Sequence, residues 1–277
     1  MVRHRRASRV KNRDHVTAPN SRIVARWIGV DGDAIILTVS GLLTPSVNGK
    51  TSDMLQAIIM PEDLMPSDAI KTGQDAIVCG GCPLRPGSDG DGPTCYVWTW
   101  RGPDGVWRAT HGTDTVRSIT DTIAPLRGCS DPSVGHNRNV CESRSHTTDR
   151  PVPIRLGTWG DPALIPLPIL RELAAPGRLS TGYSHQWKTC DPEYRRWLMA
   201  SIDGGNAEAD RAEANARGWS TYRVRAKGEA PLPGSVECPY TGRADSVTCS
   251  TCGLCCGSES WLNGKPRKPL NVEVTAI

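Results

Sequence analysis

Seven of the eleven cysteines in this 277-residue chain fall in two groups whose spacing suits metal chelation. One is Cys79-Gly80-Gly81-Cys82 with Cys95 behind it; the other is Cys238, Cys249, Cys252 and Cys255, with Cys256 alongside. The second group supplies four thiolates separated by ten, two and two residues, a full tetrahedral donor set in one short stretch. A two-residue gap lets a turn point both sulfurs at one ion, whereas a Cys252–Cys255 disulfide would be strained and would leave the neighbouring cysteines unexplained. Zinc is the expected ion, because four thiolates suit it and no redox chemistry is otherwise indicated; an iron–sulfur cluster is the alternative. The first group offers three thiols and needs a fourth ligand, for which His111, Cys129 and Cys141 are candidates; it is read either as a second metal group or as no metal site.

A second constellation has acid–base character. Asp161, His185, Gln186, Trp187, Asp203 and Arg223 or Arg225 each follow or end a short apolar run, with Tyr183 and Ser201 close by in sequence. A carboxylate, an imidazole, an amide, an indole, a second carboxylate and a guanidinium gathered at one mouth suit a flat polar heterocycle. The indole would stack on it, Gln and Asp would read its edge, and a carboxylate would serve as base or nucleophile. Each residue also has a plainer reading. Asp161 in Gly-Asp-Pro caps a helix, Asp203 before Gly-Gly makes a turn, His185 bonds structurally, Trp187 belongs to the core, and Arg85 is solvated.

These residues need strands and helices to position them. From residue 152 the chain alternates: a strand over Pro153–Thr158, a helix at ILRELAA, a strand over Leu179–Tyr183, a short helix at 192–196, a strand over Leu198–Ile202, a helix over Asn206–Arg217 and a strand over Trp219–Val224. That alternation predicts parallel βα units, and in such folds the working groups collect at the C-terminal ends of the strands. Before it come two strands within 23–39 turned at Asp31-Gly32-Asp33, a buried strand at MLQAIIM, a short helix over 66–72, and a strand ending at Val78 that delivers the first cysteine pair. The expected fold is α/β, a partial or reduced TIM-like βα barrel with a C-terminal metal-binding cysteine cluster. Residues 1–22 read as a basic disordered tail and 23–277 as a single domain. Within it, 23–110 holds the N-terminal strands and first cysteine group, 111–150 a long loop region with one helix at most, 151–235 the βα units and 236–260 the cysteine cluster.

Composition bounds the setting. No run approaches the roughly 20 apolar residues of a membrane span, and the tail Arg3, Arg5, Arg6, Arg9, Lys11, Arg13 is followed by no apolar signal segment. The expectation is therefore a cytoplasmic, reducing compartment, in which clustered cysteines bind metal. The formal net charge of +4 is mild and does not by itself indicate nucleic acid, although the tail and the Arg/Lys run near 265–268 suit phosphate contacts. The chain has nine Trp and no Phe, so the core must rest on Leu, Ile, Val and Trp.

Several landmarks together resemble a family of uncharacterised proteins of phages and mobile elements, over about residues 46–257. They are Asn48-Gly49-Lys50-Thr51 with Asp53-Met54 and Gln56; Cys79-x2-Cys82 with Cys95-Tyr96-Val97; Gly160-Asp161-Pro162; Thr181-Gly182-Tyr183-Ser184-His185-Gln186-Trp187; Met199-Ala200-Ser201-Ile202-Asp203; Gly218-Trp219-Ser220-Thr221-Tyr222-Arg223-Val224; and the closing cysteine group. The architecture also resembles a reduced guanine transglycosylase, the enzymes that act on tRNA and their phage relatives that place 7-deazaguanines in DNA. The resemblance implies a zinc-containing pentosyltransferase working in the host cytoplasm. It would exchange guanine for a 7-deazaguanine base in DNA, rather than tRNA, by a carboxylate-mediated double displacement, and would serve restriction evasion. Asp161 and Asp203 would share the nucleophile and proton roles with His185. Gln186, Trp187, Tyr183, Ser201 and Arg223 would bind the base. The family's Cys-x-Cys-x2-Cys…His zinc pattern and Gly-Gly-Phe-Gln signature are absent, and the chain is shorter. A non-catalytic zinc-stabilised nucleic-acid-binding protein and an iron–sulfur enzyme are the alternatives.

Overall fold

The computed structural model describes residues 20–46, 48–86, 95–113, 115–123, 126–129, 147–175, 177–203, 206–241, 247–259 and 263–275. The basic residues of the tail and Cys141 lie outside them. The chain opens with an antiparallel meander. β1 (Ser21–Ile28) and β2 (Ala34–Ser40) are joined by a tight turn closed by the bond from Gly29 N–H to the Asp33 carbonyl at 2.8 Å. β2 then pairs antiparallel with β3 (Leu55–Pro61). All seven residues of β3 are buried, as expected for a strand covered on both faces. Two short helices follow, α1 (Pro66–Thr72) and α2 (Ala76–Cys79). Farther along stand α3 (Pro103–Thr110), α4 (Ile119–Ile123) and a small antiparallel ribbon of β4 (Arg127–Cys129) and β5 (Thr147–Pro151).

The second half alternates as its sequence predicts. β6 (Ile154–Arg155) leads through a 3-10 turn (Pro162–Leu164) to α5 (Leu167–Leu173), then to β7 (Ser180–Thr181) and β8 (Tyr183–Ser184). A 3-10 turn (Pro192–Arg196) precedes β9 (Met199–Ser201), and α6 (Ala207–Ala216) precedes β10 (Thr221–Arg225). β11 (Val236–Glu237), α7 (Cys249–Cys252) and β12 (Asn271–Thr275) complete the described elements.

Two five-stranded sheets result, ordered β1-β2-β3-β6-β7 and β11-β12-β10-β9-β8. From β3 onward every pairing in both is parallel. Only Gly182 separates β7 from β8, so one short run serves as the edge of both sheets and places the loops after β6, β8 and β9 on a common side. The fold is thus mixed α/β with two sheets rich in parallel strands. The main core joins Ile36, Leu37, Ile59, Ile154 and Leu156 with the buried indoles of Trp159, Trp187 and Trp219, which supply the aromatic bulk that a Phe-less chain lacks elsewhere.

Three expectations are corrected. Ala76–Cys79 is a helical turn, not a strand: Cys79 N–H bonds the Asp75 carbonyl at 2.9 Å and Gly80 N–H the Ala76 carbonyl at 2.8 Å. A run as short as AIV carries no period that separates strand from helix. β1 starts inside the stretch read as tail, at Ser21. The closing strand β12, absent from the sequence reading, inserts beside β10 in parallel register, Thr221 opposite Asn271.

Candidate active site and thiol clusters

The Gly157–Asp161 loop after β6 is where the first functional side chain is set. It crosses the end of β3, with Ile59 N–H bonded to the Trp159 carbonyl at 3.1 Å, and reaches α2, with Asp161 N–H bonded to the Val78 carbonyl at 2.7 Å. Gly160 has a φ of +83°, and a Cβ there would lie 2.8 Å from Ile59 Cβ and 3.1 Å from the Val78 carbonyl oxygen. No other residue type satisfies both the left-handed backbone and the close approach. The loop therefore delivers Asp161 buried. Its Oδ1 accepts from Ala163 N–H at 2.9 Å, capping the 3-10 turn, and its Oδ2 accepts from His185 N–H at 2.9 Å. Burial raises the Asp161 pKa above its ordinary value, and the hydrogen bonds from Ala163, Ser184 and His185 oppose that rise.

Asp161 thus fixes the backbone of the next residue in the site. His185 follows β8, and its Nε2 lies 3.1 Å from Asp203 Oδ2, just past β9. Asp203 Oδ1 accepts from Val224 N–H at 2.6 Å, which ties this pair to β10. Burial works against the charged imidazolium, but hydrogen bonds to Asp203 and to the Cys82 thiol outweigh it and push the His185 pKa up to about 10.

The contact with Cys82 brings the first thiol group into the same place. Cys79, Cys82 and Cys95 line one half-open pocket together with Asp161, His185, Ser201, Asp203, Tyr183, Tyr96 and Trp159. The three thiols lie near enough to act on one another electrostatically; burial pushes the Cys79 thiol well above its usual range and raises that of Cys95, against which the Val97 N–H bond to the Cys95 sulfur works. The turn carrying Cys79 and Cys82 is clamped from two sides. Arg85 makes paired bonds to the buried Asp75 carboxylate at 2.8 and 2.9 Å and a third to the Gly73 carbonyl at 2.9 Å. Gln186 packs on Gly80, where a Cβ would fall 2.8 Å from its Nε2, and donates to the Cys79 carbonyl at 3.4 Å.

The structure therefore gathers Asp161, His185, Asp203, Ser201 and Tyr183 in one pocket and leaves three of the other site residues elsewhere. Trp187 is core, 3% exposed, with Nε1 donating to the Ser201 carbonyl at 3.1 Å. Gln186 supports the thiol turn from behind. Arg223 turns away to an ion pair with Glu229, with Glu273 at 3.7 Å, and Arg225 pairs with Glu237 at 2.5 Å. Arg85, read as solvated, is the clamp just described. Strand alternation explains part of this: Tyr222 and Val224 on β10 line the pocket, and Arg223 between them points to the other face. Cys95 was expected with Cys79 and Cys82, but the Tyr96 and Val97 lining was missed, because these side chains carry no chemistry until they are folded against the pocket. Of the proposed fourth ligands, His111 stacks on Trp107 with ring centroids 3.9 Å apart and does not line the pocket, and Cys129 stands on β4.

The C-terminal thiols meet in a separate place. Cys238, Cys249, Cys252 and Cys255 line one small pocket with Lys50, Tyr183 and Tyr240. Cys249 N–H bonds the Lys50 carbonyl at 2.8 Å and Cys238 N–H the Glu273 carbonyl at 2.8 Å, so the cluster bridges the loop before β3 and the strand β12. Burial pushes the Cys255 thiol up to about 12, opposed by its bond with the Tyr183 hydroxyl. Cys256 bonds instead to the Gly253 carbonyl at 3.0 Å. Arg267, expected to meet phosphate, bonds the carbonyls of Gly257 and Leu254 at 2.9 and 2.8 Å and so braces the cluster loop. Among the described residues no three His, Cys, Asp or Glu groups stand close enough to hold an ion as they are placed. The donor set nevertheless fits a thiophilic metal, since four cysteines share one pocket; burial raises the Cys249 thiol, and the Lys50 ammonium opposes that rise.

Compared with known proteins, the chain matches no protein-family model, no curated protein and no solved structure. Among the described residues no helix is long and apolar enough to cross a membrane.

Proposed function

We propose that this chain is a metal-dependent enzyme whose reaction takes place in the pocket at the C-terminal ends of β6, β8 and β9, at a centre held by the thiolates of Cys79, Cys82 and Cys95. The observation that carries this reading is the convergence of three thiols on the pocket that also holds Asp161 and the His185–Asp203 pair. Three protein ligands leave a coordination position open, as catalytic sites do, whereas four ligands close a site, as structural ones do. The Cys238, Cys249, Cys252 and Cys255 set is accordingly the structural centre and the first group the reactive one. A metal at the three thiolates would supply an electrophilic position for a substrate atom. His185 holds or moves a proton beside it, Asp203 orients His185, and Asp161 fixes the His185 backbone. Zinc is the ion proposed for the structural set. Metal and sulfide analysis of anaerobically purified protein, with its absorption spectrum, tests the assignment. A parent protein without bound metal, or a Cys79→Ser variant with unchanged metal content, overturns it.

A second reading keeps the resemblance to guanine transglycosylases, on a reduced βα-barrel wall with DNA as substrate in a host cytoplasm. The observation favouring it is that Asp161 and Asp203, the two carboxylates it requires, line the same pocket. Both Asp161 oxygens are held by backbone N–H bonds, whereas among the described residues Asp203 Oδ2 meets only the His185 side chain, so Asp203 takes the part of the nucleophile at C1′. Release of labelled guanine from DNA by the parent and not by Asp203→Asn supports this route; exchange that survives Asp203→Asn removes it.

A further inference from the structure

The segment that contributes Cys95, Tyr96 and Val97 to the pocket continues directly onto the surface as Trp98-Thr99-Trp100-Arg101. Its two indoles stack with ring centroids 5.7 Å apart and planes 18° from parallel. The Arg101 guanidinium carbon lies 4.2 Å from the Trp98 centroid and 4.9 Å from that of Trp100. Tyr96 is 58% exposed, Trp98 53% and Trp100 65%, so among the described residues the exposed large aromatics sit in one five-residue run. Elsewhere among the described residues the indoles are buried, as in Trp159, Trp187 and Trp219, or half-buried, as in Trp27, Trp107 and Trp197, so this exposure is not general.

The run is also rigidly held. Thr99 is buried, Arg101 N–H bonds the Trp98 carbonyl at 3.0 Å, and Gly102 N–H bonds the Thr99 carbonyl at 3.2 Å, immediately before α3. Arg155 Nη2 donates to the Tyr96 hydroxyl at 3.2 Å, adding a second guanidinium beside the run.

We propose that Tyr96, Trp98, Trp100 and Arg101 form a stacking platform for single-stranded nucleic acid that leads one base into the pocket. The proposal rests on the reading of that pocket as the active site. The chemistry is specific to this ligand class. The indole and phenol surface left open by the Trp98–Trp100–Arg101 stack takes unpaired bases of any sequence, and the guanidinium charge meets the phosphate backbone. A paired base presents no face to such a platform, so unstacked strands are bound in preference to duplex.

The test uses the full chain with its metal. Fluorescence anisotropy compares a mixed-sequence single-stranded DNA oligonucleotide, the RNA of the same sequence and the matching DNA duplex, across a salt series. Binding of a single strand that is weakened roughly tenfold or more in Trp98→Ala or Trp100→Ala, and retained in Trp98→Phe, is the expected result. Metal content and melting temperature stay at the parent's values. The preferred strand, DNA or RNA, identifies the sugar recognised. Single-strand binding that is absent, unaffected by the substitutions, or equalled by duplex overturns the proposal. So does a change of oligomeric state on loss of the indoles without a change in oligonucleotide binding, which marks a protein contact instead. Oligonucleotide binding that persists in Cys79→Ser separates the platform from the metal assignment, so either can fail alone.

Discussion

Asp161 shows how one carboxylate can look catalytic and act as a fastener. Its oxygens each receive one backbone N–H, one from the turn it caps and one from His185 across the pocket. Removing the side chain leaves two buried donors without partners, which costs about 2–5 kcal/mol. Asp161→Ala is expected to show that loss in urea unfolding, while Asp161→Asn, which keeps an acceptor for Ala163, loses less than half as much. Asp203 differs in kind. Its Oδ1 bond to Val224 N–H survives in Asp203→Asn, so stability should fall by no more than about 1 kcal/mol. Turnover, in contrast, should drop by roughly a hundredfold or more as the partner of His185 loses its charge. Equal losses of stability in the two variants would make Asp203 a fastener as well.

At the scale of elements, the pocket depends on two loops that cannot relax. The Gly157–Asp161 loop passes over β3 only because Gly160 has no side chain. Gly160→Ala combines left-handed backbone strain with a clash against Ile59 and is expected to cost about 2–4 kcal/mol by chemical denaturation. The thiol turn after α2 is held by Arg85 on Asp75, a carboxylate 1% exposed. Arg85→Ala strands that charge and is expected to cost about 3 kcal/mol. It should also lower the metal bound by the first thiol group, measured as metal per chain against the parent. Unchanged metal content would show that the turn holds its shape without the clamp.

For the molecule as a whole, the two cysteine groups stand in separate pockets, and on the proposed reading they divide the labour. The C-terminal set bridges the loop at Lys50 and the strand β12, which are far apart in sequence, so a metal there would close a long loop and contribute folding free energy directly. Cys252→Ser, or removal of metal by a strong chelator, is expected to lower the melting temperature by roughly 5 °C or more. Cys79→Ser should shift it far less while abolishing turnover. A reversed pattern in calorimetry would exchange the two roles.

How much of this was legible in the residues depends on the range of the forces involved. The alternation of strand and helix after residue 152, the turn at Asp31-Gly32-Asp33 and the helix at 66–72 follow from local rules of spacing, turn chemistry and helix propensity, which act within a few residues. So does the grouping of Asp161, His185 and Asp203, since parallel strands carry their following loops to one side. The helical form of Ala76–Cys79, the outward turn of Arg223 and the burial of Trp187 are not local. Each depends on a partner outside its own element: Arg85 on Asp75, Glu229 with Glu273 of β12 on Arg223, the Ser201 carbonyl of β9 on Trp187. The sequence alone determined which residue types were available and which strand ends they follow. Only the tertiary structure brought Cys79, Cys82 and Cys95 against His185, because that meeting joins a helical turn, a coil segment and a strand end, and packing between distant segments is what selects it.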